Sequence, residues 1–143
     1  MHIALSLAKK AFIHNEVPVG AVVVRKNKII SFAHNLCFCS NNPLEHAEVL
    51  AIKNAQKALG RAFLSDCDLY VTLEPCAYCA GAIGLTRIKR LYFGAYDPKG
   101  GAVEHGGNIL KQDLYITETI GGVQEKACSL LLKQFFIKIR NHK

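Results

Sequence analysis

Short runs of strand-forming residues alternate along this chain with stretches of helical spacing, and that order leaves few architectures open. Residues 3 to 13 set Ile3, Leu7, Ala8, Ala11 and Phe12 at helical spacing with Lys9 and Lys10 turned outward, which predicts an amphipathic first helix. Pro18 and Gly20 end that pattern, and Ala21-Val22-Val23-Val24 reads as a strand buried on both faces. Lys26-Asn27-Lys28 then turns the chain into a second strand, from Ile29 to about His34. A second helix is predicted from Glu45 to Leu59, closed by Gly60, and a third strand from Leu69 to Leu73. Pro75 can open a third helix, Cys76 to about Leu85, because its missing N–H costs nothing in a first turn. Arg90 to Gly94 is a fourth strand, Asp97 to Asn108 a glycine-rich loop, Leu114 to Thr117 a fifth strand, and Gln124 to about Arg140 a last helix with Ala127, Leu130, Leu131 and Phe135 inward. The expected fold is α/β: a three-layer α/β/α sandwich whose mixed five-stranded sheet is mostly parallel after the opening hairpin and carries helices on both faces.

At 143 residues, half of them apolar, the chain suits one domain spanning residues 1–143. Its longest apolar runs are far too short to cross a bilayer, and the N-terminus has no signal-peptide pattern, so a cytoplasmic protein with no membrane partner is expected. Without an export signal, the six cysteines read as thiols or metal ligands rather than disulfides, Cys67 and Cys128 belonging to the core. The net charge of +7 has two readings of equal weight, simple solubility or a polyanionic partner.

Cys76 and Cys79 stand at i and i+3 where a strand runs into a helix, which puts both sulfurs on one side of the first turn. Alone, such a pair is a redox couple, half a structural zinc site or two core residues. Cys37 and Cys39 would complete a closed four-thiolate site, but that leaves His46-Ala47-Glu48 without a purpose. In an open α/β sheet the helix starts that follow two strands meet outside the strands' carboxyl ends, so His46 and Glu48 can face Cys76 and Cys79. One histidine and two cysteines leave a fourth tetrahedral position open, the mark of a catalytic zinc, and Glu48, not needed as a ligand, can carry a proton.

The pairing of H-x-E with P-C-x-x-C is the signature of the zinc nucleobase deaminases. Glu16-Val17-Pro18-Val19-Gly20-Ala21, Thr72-Leu73-Glu74-Pro75-Cys76, Cys79-Ala80-Gly81-Ala82 and Phe93-Gly94-Ala95-Tyr96-Asp97 resemble the bacterial tRNA-specific adenosine deaminases, and the likeness runs from the first helix to Phe135-Phe136. It implies a cytidine deaminase-like fold with one Zn2+ per chain held by His46, Cys76 and Cys79, and Glu48 as the catalytic acid and base. It also implies a homodimer acting on a tRNA anticodon loop, where adenosine at the wobble position becomes inosine after water attacks C6 of a flipped base. Asn35 matches a residue that touches the target base, and Asp97 lies in the loop facing nucleic acid. Without the resemblance, Asn35 reads as a turn residue and Asp97 as a solvated acid. Glu74 either orients the site or caps the helix. Two rivals remain: a deaminase of free cytosine, cytidine or guanine with the same metal site, and a zinc-stabilised RNA-binding module without turnover. Arg87, Lys89, Arg90, Lys138, Arg140 and Lys143 are the candidate phosphate contacts.

Overall fold

The computed structural model describes residues 1–111 and 116–142. Its sheet begins with a hairpin in which β1 (Gly20–Arg25) pairs antiparallel with β2 (Lys28–His34). The two connecting residues, Lys26 and Asn27, both take positive φ, the backbone that matches the twist of the strands they join. β1 also pairs antiparallel with β3 (Asp68–Leu73), and β3 runs parallel to β4 (Arg90–Ala95), which runs parallel to β5 (Glu118–Ile120). The strand order is β2-β1-β3-β4-β5, the mixed five-stranded sheet that the sequence predicts.

Alternation along β1, β3 and β4 sends Ala21, Val23, Leu69, Val71, Leu91 and Phe93 to one face, where they pack with Ala47, Ala51, Ile52 and Ala55 of α2 (Ala47–Leu59) and Ala80 and Ile83 of α3 (Ala77–Leu85). The other face takes α1 (His2–Ile13) and α4 (Glu125–Asn141). There the strands carry glycine where a helix comes closest: a Cβ on Gly20 would run into the Ala4 backbone, and one on Gly94 into the Cys128 side chain. Cys67 and Cys128 are core residues, as expected.

Two expectations shift. The sequence places the fifth strand over Leu114 to Thr117; Leu114 and Tyr115 lie outside the described residues, Ile116 and Thr117 are not strand, and β5 is Glu118–Ile120. In α4 the inward positions are Cys128, Leu131, Leu132 and Phe135, whereas Ala127 and Leu130 are exposed. Apolar residues occur around much of this helix, so their spacing alone does not fix which stripe faces the sheet.

Candidate active site

Because β3 and β4 are parallel, their carboxyl ends lie side by side: Leu73 pairs with Ala95, and the Glu74 N–H donates to Ala95 O over 2.8 Å. The chain then leaves β3 through Glu74 and Pro75 into Cys76, the residue preceding the first turn of α3. Pro75 therefore stands one position before the cap rather than inside the helix. On the neighbouring α2, His46 holds the capping position in an extended conformation, and Glu48 lies in the first turn. The close packing of α2 and α3 brings both helix starts to one place.

His46, Cys76 and Cys79 form the group, among the described residues, whose ligand atoms all lie within 4.8 Å of one another; neither Cys37 nor Cys39 joins it. The Nδ1 atom of His46 is 3.3 Å from Cys79 Sγ and 3.7 Å from Cys76 Sγ. A tetrahedral zinc with ordinary Zn–N and Zn–S bonds separates such ligands by about 3.6 Å, so the arrangement fits that ion, as does its borderline-soft donor set. The hydrogen bond from Cys79 lowers the Cys76 thiol to about 5 against the opposing effect of burial, so Cys76 is a thiolate at neutral pH. The same bond, with burial, pushes Cys79 up. A bound cation favours both thiolates and so binds with release of a proton.

Glu48 is buried, with Oε2 3.4 Å from Cys79 Sγ. Burial raises its carboxyl above the ordinary range, which suits a group that must hold a proton and give it up. These residues open on a pocket of about 250 Å³ whose lining includes His46, Glu48, Cys76, Asn35, Cys37 and Asp97.

Asn35 follows the end of β2, and its Oδ1 accepts the Ala47 N–H at 2.8 Å, so it closes the first turn of α2. That N–H needs an acceptor, which fixes the amide orientation and leaves Nδ2 as the group offered to the pocket. Asp97 is also on the wall. Its Oδ1 accepts the Lys99 and Gly100 N–H groups at 3.3 and 3.0 Å and shapes the turn there.

Two buried carboxylates that sequence reasoning left without a fixed role hold the walls. Glu16 is fully buried and accepts the backbone N–H of Cys39 at 2.7 Å and of Phe38 at 3.2 Å, pinning the loop between β2 and α2. Glu74 accepts the N–H groups of Asp97, Val103, Glu104 and His105 and lies 2.8 Å from His105 Nδ1. Burial pushes the Glu74 carboxyl up, but these bonds, led by the His105 side chain, outweigh it and hold the group below its ordinary range. Glu74 thus anchors the glycine-rich loop and does not cap α3, which has no side-chain cap. Partners more than twenty residues away leave no mark in a local sequence pattern; only the presence of acids beside apolar strand ends could have hinted at them.

The candidate phosphate contacts divide by strand direction. Lys89 and Arg90 enter β4 at the end of the sheet opposite the pocket, and Arg90 is held by Asp68 through two bonds of 2.9 Å. Arg87, just before them, lies 4.0 Å over the Phe63 ring. Lys138 donates to Asn15 Oδ1 at 2.9 Å, Arg140 lies exposed late in α4, and Lys143 is outside the described residues.

The family model of the cytidine and deoxycytidylate deaminase zinc-binding region matches residues 1–95. The chain is 48% identical over 145 residues to the tRNA-specific adenosine deaminase of Rickettsia bellii, covering 99% of this chain and 100% of that protein. It is 44% identical over 142 residues to the protein of the same name from Bacillus subtilis, covering 98% and 88%. A solved structure from work on A-to-I editing by tRNA:A34 deaminases at the wobble position of transfer RNA superimposes with a TM-score of 0.89 at 42% identity, over 92% of this chain and 97% of that one.

Proposed function

This chain belongs to the cytidine and deoxycytidylate deaminase family, whose zinc-binding region it carries, and from that membership we propose that it hydrolyses adenosine to inosine in RNA, at the wobble position of a tRNA anticodon loop. The observation that carries the reading is the three-ligand group of His46, Cys76 and Cys79 beside the buried Glu48, in a chain that aligns nearly end to end with tRNA-specific adenosine deaminases. Zinc, when bound by these three residues, makes water a nucleophile near neutral pH.

Glu48 takes one proton from the attacking water and passes it to the purine ring, then takes the second from the oxygen now bonded to C6 and passes it to the departing amine, so that adenosine and water become inosine and ammonia. The Asn35 Nδ2 group donates to an acceptor on the purine edge, and the pocket it lines takes the flipped base. Asp97 meets the nucleotide at the outer wall through Oδ2, which has no hydrogen-bond partner among the described residues. The chain acts as one deaminase domain, works in the cytoplasm where tRNA is processed, and pairs as a homodimer, which the mass of the protein in solution tests. No helix of the described residues is long and apolar enough to cross a membrane.

The decisive comparison sets a stem-loop with adenosine at the wobble position against free adenosine, cytidine and guanine. Inosine should form far faster in the stem-loop, because the flanking nucleotides supply binding energy that holds the flipped base. Efficient turnover of a free base or nucleoside, with no salt-sensitive RNA binding, would replace this reading with that of a small-molecule deaminase. Glu48→Ala should keep its zinc and fold while losing nearly all activity; a variant that stays active removes Glu48 from the acid–base role.

A further inference from the structure

Between Cys76, which caps α3, and Cys79 within it stands Tyr78, and its side chain reaches across to the segment that carries the third ligand of the group. The Tyr78 ring meets the His46 imidazole edge-to-face, with centroids 5.4 Å apart and planes at 86°. Its hydroxyl donates to Leu44 O over 3.1 Å. That same carbonyl accepts the His46 backbone N–H at 2.9 Å. One side chain therefore bears on the third ligand twice, at the plane of its ring and at the carbonyl that holds its backbone. Imidazole orientation at a metal depends on such outer partners, because the ligand nitrogen must point along the bond.

We propose that Tyr78 is a positioning residue for the metal site, locking the His46 ring in the orientation in which Nδ1 faces Cys76 and Cys79. The inference rests on the assignment of His46 as a ligand and adds a part that the three ligands alone do not contain. The Cys76–Cys79 turn of α3 then supplies two sulfurs and, from the residue just before the second, the brace for the nitrogen. The face of α3 that binds also orders the start of α2.

The test measures zinc release from the purified, zinc-loaded full-length protein to a chromophoric chelator, and the visible spectrum of the cobalt-substituted protein. Tyr78→Leu removes both ring and hydroxyl and should speed zinc release by about tenfold or more, as removal of a group that orients a metal ligand does. Tyr78→Phe keeps the ring and should fall between that variant and wild type. Both should shift the cobalt bands, whereas the zinc-free proteins should unfold within about 4 °C of the wild type, the cost of one lost hydrogen bond, which separates positioning from general support of the fold. If Tyr78→Leu does not fold, Tyr78→Phe decides the matter, since it differs by one oxygen. Wild-type release rates and an unchanged cobalt spectrum in a folded variant would overturn the proposal. His46→Ala serves as the control: if it binds zinc like wild type, the ligand assignment itself fails rather than the role of Tyr78.

Discussion

The Oδ1 atom of Asn35 accepts the Ala47 N–H, 2.8 Å away, which leaves Nδ2 as the donor turned to a ligand. The two duties can be separated by substitution. Asn35→Asp keeps an acceptor for Ala47 and removes the donor, so thermal stability should hold while kcat/KM falls by roughly 5- to 150-fold, the worth of a missing bond of about 1–3 kcal/mol. Asn35→Ala loses both and should also cost about 1 kcal/mol of stability through the uncapped turn. Denaturation curves and inosine formation on the same samples read the two effects apart; an aspartate variant with full activity would remove Nδ2 from substrate binding. At this scale the grouping of His46, Cys76 and Cys79 was legible because metal ligands need fixed residue types at fixed spacing, and Glu48 stood out as the acid two residues after that histidine. Tyr78 was not, since nothing in Cys-x-x-Cys specifies what its middle residues touch.

Among the elements, the loop after β4 is anchored by a single residue. Glu74 receives four backbone N–H groups spread from Asp97 to His105, so one carboxylate replaces the ladder that a strand would have supplied. Glu74→Gln turns one acceptor oxygen into a donor facing donors and should cost about 2–3 kcal/mol, with faster hydrogen exchange confined to residues 97–105. Uniform loss of protection across the sheet would show instead that the whole core depends on it. A different clamp joins β1 to the turn before β3: Asp66 bonds Arg25 at 2.6 Å and also pairs with Arg61. The Arg25 hydrogen bond leads in lowering the Asp66 carboxyl from 3.8 to about 2. A depressed carboxyl stabilises the fold above its unfolded pKa, so this contribution is complete above about pH 4 and disappears as pH falls towards 2. The group is partly exposed and screened, so Asp66→Asn should cost less than about 1 kcal/mol, and the variant should lose the acid dependence of stability in that window. The elements themselves were largely legible from apolar period. The α4 stripe was not, since a helix with apolar residues on several sides takes its orientation from what it packs against, here Gly94 and the β4 face.

For the whole molecule, strand direction decides which positive charges can serve an RNA held at the pocket. Parallel β3 and β4 put their carboxyl ends at the site, so cations at the other end, Lys26, Lys28 and Lys89, face away from it. The pocket instead continues past Val17, Leu73 and Asp97 into a groove of about 480 Å³ lined also by Tyr96, Lys99, Leu132 and Phe136. The adjoining surface of α4 adds Lys133 and Arg140. Net charge alone could not make this division, because +7 is a sum without positions. If RNA lies along the groove, replacing Lys99, Lys133 and Arg140 by alanine should weaken binding of every stem-loop alike, since groups that meet only phosphate carry no base information. The slope of log affinity against log salt should become shallower by about 0.7 for each single-strand phosphate that is no longer neutralised. The matching triple variant of Lys26, Lys28 and Lys89 removes the same formal charge and should change the slope little. Equal effects from both sets would mean that the charge acts only as a diffuse field; a larger effect at the hairpin end would put the RNA on the wrong side of the sheet for the chemistry proposed at Glu48.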